Sequence, residues 1–192
     1  RFLRADGSEI PRMCGAELKD IARIDDSSLD KRLKDAHITV MCDVTNPLTG
    51  PNGATYVYGP QKGGTSDILK RLEEGMRHYA ALIDQWAGHG AANAPGAGAA
   101  GGLGAALRVF LDAKLCRGIE AVLDLVRFSD MLKDADLVVT GEGRVDSQSA
   151  CGKVIHGGAV RARQANVPVV VIAGGIGEGA SAVYPLGVHT IM

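Results

Sequence analysis

The stretch that decides the fold is "DLVVTGEGRVDSQSACGK", residues 136–153. An apolar run ends at Thr140, and Gly141 and Gly143 then open the backbone into a turn. A helix-like segment follows, and "VPVVVIAGG" at residues 167–175 repeats the passage from an apolar run to a glycine turn. Buried strands that alternate with turns and helices are typical of parallel α/β units. The sequence therefore predicts an α/β fold with a parallel sheet, in which the strand ending at Thr140 is buried.

The turn after this strand carries most of the residues that we expect to bind a ligand. They are Gly141, Glu142, Gly143, Arg144, Asp146, Gln148 and Lys153. Polar groups at the carboxyl end of a parallel strand occupy the usual ligand crevice of an open sheet, and the following helix N-terminus favours an anion. Arg144 and Lys153 are suited to neutralising phosphate charge, whereas Glu142 or Asp146 is suited to holding Mg²⁺ or accepting a proton. The alternative is a solvated loop with local ion pairs, such as Arg144 with Asp146. A P-loop is excluded because Ser147 stands where that pattern requires glycine.

A second candidate loop is "CDVTNPLTGPNGA", residues 42–54, which follows a predicted strand at residues 37–44. Asp43 and Asn46 place a carboxylate and an amide on a stiff turn, which suits a hydroxy-acid ligand. Alternatively, both residues are turn formers that bond their own backbone. A short strand is expected at residues 54–58. Lys62 then lies in a glycine-rich turn, as an anion contact or as a solvated lysine.

Residues 66–88 show a clear helical period. The apolar members of the stripe are Ile68, Leu69, Leu72, Met76, Tyr79, Ala80 and Ile83. The charged residues assigned to the other face are Lys70, Arg71, Glu73, Glu74 and Arg77. This pattern predicts an amphipathic helix whose apolar stripe lies in the core, so that Met76 and Tyr79 are packing residues.

The block "PGAGAAGGLGAAL", residues 95–107, contains the spacing G-x-G-x-x-G. In a dinucleotide fingerprint, a buried strand leads into the first glycine and an acidic residue ends a second strand. The residues before this block, "GHGAANAP", cannot form a strand. The block therefore indicates either close backbone packing or another kind of ligand loop.

Composition narrows the class of protein. The 192 residues carry a formal net charge of −1, so there is no electrostatic case for nucleic acid or an anionic membrane as a partner. No apolar run approaches the roughly 20 residues that span a bilayer. The four cysteines form no C-x-x-C pair, which favours reduced thiols and a cytoplasmic location. We place a domain boundary near residues 132–136, which divides the chain into residues 1–132 and 133–192.

Three blocks resemble signature segments of the bacterial glycerate kinases, in the same order. They are "CDVTNPLTGPNGATYVYGPQKGGT", "PGAGAAGGLGAAL" and "ADLVVTGEGRVDSQSACGK". The similarity also includes "RFLRADGSEIPRMCGAELKDIARID" and "VPVVVIAGGIGEGA", so it extends over nearly the whole chain. Because family patterns continue before Arg1 and after Met192, the resemblance implies about half of a family member.

The resemblance implies phosphorylation of D-glycerate with ATP and Mg²⁺, giving mostly 2-phosphoglycerate, with 3-phosphoglycerate as the alternative product. It implies a Rossmann-like domain, of which residues 133–192 are a part. A second α/β domain is inserted into it, and residues 1–132 are most of that domain. Asp146 is then our first choice for the catalytic base and Asp43 the second. Arg144 and Glu142 would line the cleft, Glu142 would hold Mg²⁺, and Lys153 would lie near phosphate.

Two other functions stay open on the sequence alone. One is an NAD(P)-dependent oxidoreductase, which rests on the glycine spacing at residues 96–101. The other is a fragment that binds a ligand or partner without catalysis. The sequence does not fix the oligomeric state, and a homodimer is compatible with it.

Overall fold

The computed structural model describes residues 1–150 and 154–192. The chain divides into two compact units, Arg1–Leu115 and Cys116–Met192. No helix within the described residues combines the length and the apolar surface needed to cross a membrane.

The strands are β1 (Phe2–Leu3), β2 (Arg23–Ile24), β3 (Thr39–Met41), β4 (Lys114–Cys116), β5 (Val138–Glu142), β6 (Val169–Ala173) and β7 (Val188–Ile191). The α-helices are α1 (Ala54–Tyr58), α2 (Ser66–Ala87), α3 (Leu103–Leu111), α4 (Gly118–Leu125), α5 (Phe128–Met131) and α6 (Val154–Gln164). Short 3₁₀ helices cover Gly15–Asp20, Lys31–Asp35, Pro60–Lys62, Ala99–Gly101, Leu132–Asp134, Ser147–Ala150 and Ala180–Leu186.

The first unit is built around helix α2, as its periodicity predicts. Met76, Tyr79 and Ile83 are buried in one apolar cluster, which confirms their packing role. Burial raises the pKa of Tyr79 to about 12. Gly88 closes the helix with a positive φ of 73°, a conformation that glycine adopts without strain. The predicted polar face was wrong at one position, because Glu73 is only 3% exposed.

The segment at residues 54–58 is helix α1, and the predicted strand there was wrong. The preceding turn decides this: the Gly53 amide donates to the Gly50 carbonyl, and the Ala54 amide donates to the Leu48 carbonyl. These bonds turn the chain sharply, and Ala54 and Thr55 then become buried. The β-forming residues of this segment are overridden by this local hydrogen bonding and burial.

The second unit contains a parallel sheet with the strand order β5-β6-β7. Val138 of β5 pairs with Val169 of β6, and Glu142 pairs with Ala173. The predicted parallel α/β arrangement is therefore confirmed. On one face of the sheet, Val169 and Val171 are buried in the cluster that includes Ile155 of α6.

Strand β5 differs from the prediction in two ways. It continues through Gly141 to Glu142 instead of ending at Thr140. It is also not buried on both faces, since Val139 is 57% exposed, and Ile172 on β6 is 55% exposed. The reason is that this chain supplies a covering layer to one face of the sheet, whereas parallel sheets are normally covered on both.

The division between the units lies earlier in the chain than the boundary predicted at residues 132–136. Helix α4 belongs to the second unit, because Arg161 of α6 pairs with Glu120 at 2.5 Å and with Asp124 at 2.7 Å. The hydrogen bond that the Arg161 guanidinium donates to the Glu120 carboxylate is the main cause of the raised pKa of Arg161. The assignment of the units to an inserted domain and a Rossmann-like domain stays a prediction.

Candidate functional site

The candidate loop of the second unit follows β5, and we call residues 143–150 the β5 loop. It pairs with residues 174–179, the β6 loop. The Val145 amide donates to the Gly175 carbonyl at 2.9 Å, and the Gly177 amide donates to the Val145 carbonyl at 2.7 Å. Val145 itself is fully buried. The β5 loop is therefore fixed to its neighbour at the carboxyl edge of the sheet, where open α/β sheets bind ligands.

One serine of the β5 region links the Glu142 carboxylate to the backbone amide of Asp146. The Ser149 hydroxyl donates to Glu142 Oε2 at 2.9 Å and accepts from the Asp146 amide at 3.3 Å. Ser149 is 1% exposed, whereas Glu142 and Asp146 are half-buried. Asp146 Oδ1 also accepts from the Gln148 amide at 2.9 Å. The structure thus brings Asp146 and Gln148 of the β5 loop close to Glu142 at the end of β5.

Arg144 is exposed beside this turn. A Cβ on Gly177 would lie 2.8 Å from Arg144 Nε and 3.1 Å from the Asp146 Cβ, so the β6 loop approaches both residues closely. Arg144 and Asp146 form no ion pair in the described part of the chain, so the local pair considered from the sequence is not found. Lys153 lies outside the described residues.

The glycines of the two loops fall into two kinds. A Cβ on Gly174 would lie 2.7 Å from the Gly143 carbonyl oxygen, so glycine is needed there for the loops to meet. In contrast, the Cβ positions of Gly143 and Gly175 face open space. Small residues with open space beside them leave the backbone accessible to a ligand. The sequence analysis missed the β6 loop as a site element, although its two-glycine turn after an apolar strand was the available signal.

The candidate loop of the first unit follows β3, and we call residues 42–53 the β3 loop. Asn46 is held on both sides of its amide: Oδ1 accepts from the Tyr58 hydroxyl at 2.8 Å, and Nδ2 donates to the Asn52 carbonyl at 2.8 Å. Asn46 therefore bonds the backbone of its own loop six residues on, and its role as a ligand contact stays a prediction. Any ligand contact by Asn46 would use the remaining hydrogen-bonding capacity of a rigidly oriented amide.

Asp43 and Lys62 are both exposed. Asp43 lies beside a groove of about 340 Å³ whose walls include Met41, Leu103 and Gly104. Lys62 ends a 3₁₀ helix, and Gly63 follows with a positive φ of 85°. The structure places Asp43, Asn46 and Lys62 within the first unit, and Gly141 to Gln148 within the second.

The glycine-rich block packs directly against the β3 loop. The Gly98 amide donates to the Asn46 carbonyl at 2.9 Å. A Cβ on Gly98 would lie 2.2 Å from the Pro47 carbonyl oxygen, and one on Gly104 would lie 2.1 Å from the Gly96 carbonyl oxygen. No strand lies between the end of α2 and this block, all of which is described. The strand that a dinucleotide fingerprint requires is therefore missing, and Gly98 and Gly104 serve close backbone approach.

Glu73 is a residue of this region that the sequence analysis missed. Its Oε1 accepts from the Gly50 amide at 2.7 Å and from Arg77 Nε at 3.0 Å. Its Oε2 is buried without a hydrogen-bond partner among the described residues. The available signal was the helical spacing, since position 73 lies four residues after Leu69 and three before Met76 on the buried stripe. Glu73 therefore anchors the β3 loop to helix α2.

The sequence of this chain is similar to those of known proteins. The profile of the glycerate kinase family matches residues 1–192. The chain belongs to the glycerate kinase family. It is 48% identical over 191 residues to a glycerate kinase of Bacillus subtilis, covering 100% of this chain and 50% of the relative. It is 44% identical over 187 residues to the glycerate 2-kinase of Escherichia coli, covering 97% of this chain and 49% of the relative.

A solved structure of a protein from the same family has a similar fold. A crystal structure of a protein assigned as glycerate kinase 2 from Salmonella typhimurium LT2 superposes with a TM-score of 0.82 at 45% identity. That match covers 100% of this chain and 48% of the other. The chain thus spans about half the length of the curated relatives it matches. The family resemblance and the α/β fold as part of a larger protein are confirmed.

Proposed function

We propose that this chain forms part of an ATP-dependent kinase that phosphorylates D-glycerate. The observation that carries the proposal is the joined β5 and β6 loops, which hold Glu142 and Asp146 in one turn at the carboxyl edge of a parallel sheet. Membership of the glycerate kinase family supplies the substrate. Phosphoryl transfer asks a protein chiefly to position groups and to stabilise charge, and this edge offers both carboxylates and a cation.

The residues at this edge fit Mg²⁺ and ATP. Mg²⁺ is usually held by one or two carboxylates together with substrate phosphates, and Glu142 is available for that role. Within residues 1–150 and 154–192, no cluster of three or more His, Cys, Asp or Glu side chains is arranged to hold a metal. A single protein carboxylate leaves the other coordination positions of Mg²⁺ to phosphate oxygens and water. When bound, Mg²⁺ would neutralise charge on the transferred phosphoryl group.

Specific roles follow for the β5 loop. Asp146 is the proposed base that accepts the proton of the attacking hydroxyl, a contribution of about 10²–10⁴-fold in rate. Arg144, which is exposed beside it, would contact phosphate or substrate carboxylate. Gly141, Gly143 and Gln148 would line the nucleotide side, and Lys153 would add a positive charge near phosphate.

The β3 loop and Lys62 supply the proposed second set of contacts. Asn46, whose amide is held by Tyr58 and Asn52, would present a fixed hydrogen-bonding group to a glycerate hydroxyl. Lys62 would attract the glycerate carboxylate. Asp43 remains the second choice for the base, because it is exposed on the same loop.

The proposed product is 2-phosphoglycerate. The support is the Escherichia coli relative, which is named glycerate 2-kinase and is 44% identical to this chain. The alternative product is 3-phosphoglycerate. We further propose a cytoplasmic location, and we propose a homodimer as the first assembly to test.

The test uses the full-length protein, by which we mean a protein that contains this chain and spans the whole length of the curated relatives. A coupled assay of ADP release with D-glycerate measures turnover, and ³¹P NMR of the product distinguishes the C2 ester from the C3 ester. We expect ADP release that depends on glycerate and Mg²⁺, and a C2 ester. ADP release that ignores glycerate would contradict the proposal.

The isolated 192-residue chain is the matched comparison in the same assay. We expect it to show no appreciable turnover, because it spans only about half the length of the curated relatives. Turnover by the isolated chain at the rate of the full-length protein would contradict this expectation. An NADH absorbance assay with the same samples tests the oxidoreductase alternative.

A further inference from the structure

We propose that Ser149 is a positioning residue of the kinase, acting through Glu142 and Asp146. This inference rests on the proposed function, because it assigns Ser149 to the same site. The residue does not need to touch substrate. Its hydroxyl fixes the two carboxylate-bearing residues relative to one another.

The direction of both hydrogen bonds follows from the groups involved. A serine hydroxyl has one proton to donate and can accept through its oxygen. The Asp146 amide can only donate, so the Ser149 oxygen is the acceptor in the 3.3 Å contact between them. The hydroxyl proton is therefore directed at Glu142 Oε2, 2.9 Å away. Ser149 thus uses its donor on one site residue and its acceptor on the other.

Burial makes this arrangement difficult to replace. Ser149 is 1% exposed, so water has little access to the position of its hydroxyl. Removing the hydroxyl would leave Glu142 Oε2 without this donor in a half-buried setting. A carboxylate freed in this way changes its orientation to regain hydrogen bonds with solvent.

The backbone of Glu142 is already held by the sheet and the β6 loop, so Ser149 acts on the Glu142 side chain. Glu142 ends β5 in register with Ala173, and its carbonyl accepts from the Gly174 amide at 3.2 Å. Because the backbone of Glu142 is fixed, only its side-chain torsion angles can still change. The Ser149 hydroxyl restricts those torsions and so sets where the Glu142 carboxylate points.

The test is a double-mutant cycle in the full-length protein, with Ser149→Ala, Glu142→Ala and the combination. Single-turnover assays at high enzyme concentration keep slow variants measurable. Since displacing a reacting group by about 1 Å costs up to about 10²-fold, we expect Ser149→Ala to lower kcat/KM about 10- to 100-fold. In the Glu142→Ala background we expect the same change to cost less than about threefold, because its target is gone.

Two further variants separate positioning from folding. Ser149→Thr retains the hydroxyl, and we expect it to recover most of the activity lost in Ser149→Ala. Ser181→Ala removes an exposed serine of the same unit and should leave kcat/KM and Tm unchanged. Thermal unfolding of each variant reports whether the fold is intact.

The outcomes are distinguishable. Equal losses from Ser149→Ala in the two backgrounds, or a loss below about threefold in the wild-type background, would overturn the positioning role alone. A wild-type protein without glycerate-dependent ADP release would overturn the proposed function and this inference with it. Loss confined to the background that contains Glu142 supports the inference.

Discussion

The β3 loop and the β5 loop both follow a strand and both carry acidic and amide side chains, but they are held in different ways. The β3 loop is built into a core: Gly98 approaches its backbone closely, and the buried Glu73 binds the Gly50 amide. The β5 loop lies along the edge of a sheet, joined to the β6 loop by main-chain hydrogen bonds and internally by Ser149.

Because of this difference, we expect the β3 loop to affect mainly stability and the β5 loop to affect mainly turnover. Substitutions that disturb the contacts of the β3 loop should mainly reduce the free energy of unfolding, because they leave buried clashes or unpaired groups. Substitutions of carboxylates in the β5 region should mainly reduce turnover, because those groups are half-buried at the edge where we propose that substrate binds. Three variants test this separation.

The largest effect is expected from Asp146→Asn in the full-length protein. Asparagine keeps an oxygen that can accept from the Gln148 amide, so the turn should persist. Losing the base should lower kcat by about 10²- to 10⁴-fold, or roughly 3–5 kcal/mol. The coupled ADP assay measures kcat, and urea unfolding measures stability.

Asp134→Asn is the matched control, since Asp134 is exposed in the same unit. It should leave kcat unchanged. A fall in kcat of less than about tenfold for Asp146→Asn, with the fold intact, would show that Asp146 is not the base. Asp43→Asn would then be the next variant to measure.

The next effect is expected from Gly98→Ala, which probes the packing of the glycine-rich block on the β3 loop. The added Cβ would lie 2.2 Å from the Pro47 carbonyl oxygen, and backbone must move to relieve the overlap. We expect a loss of about 3 kcal/mol in the free energy of unfolding. Urea unfolding of the full-length protein measures it.

Gly90→Ala is the control, because a Cβ at Gly90 meets nothing within 4 Å and its φ is not positive. It should change the free energy of unfolding by less than about 0.5 kcal/mol. Equal stability for the two alanine variants would show that the close approach of Gly98 is not required.

The smallest of the three effects is expected from Glu73→Ala. The change removes the acceptor of the Gly50 amide and of Arg77 Nε from a buried position. Leaving a buried donor unpaired costs about 1–3 kcal/mol, so we expect a stability loss of about 2 kcal/mol. Glu74→Ala, on the exposed side of the same helix, should cost much less. If both variants lose the same stability, Glu73 does not anchor the loop.

Much of the fold was predictable because local periodicity reports it directly. The stripe through Met76 and Ile83 predicts α2, and the alternation of apolar runs and glycine turns predicts the parallel sheet of β5 and β6. Helix α1 was not predictable in this way. Its residues favour a strand, and the turn bonded through Gly50 and Gly53 overrides that preference.

The candidate site was predictable only in part. Glu142, Asp146 and Gln148 follow a strand in sequence, so their closeness could be predicted from chain order alone. The roles of Ser149 and Glu73 depend on burial, which local sequence constrains weakly for polar residues. Glu73 and Glu74 are neighbours in one helix, yet only Glu73 is buried.

The sequence by itself determined the class of fold, helix α2, strands β5 and β6, and the family, because periodicity, glycine turns and long signature blocks are local properties. Only the tertiary structure decided that the β6 loop joins the β5 loop, that the glycine-rich block packs on the β3 loop, and which carboxylate of α2 is buried. Each of these depends on contacts between residues far apart in the chain, such as Val145 with Gly175 and Gly98 with Asn46. Local sequence sets the direction in which a side chain leaves its own element, whereas packing decides what it meets there.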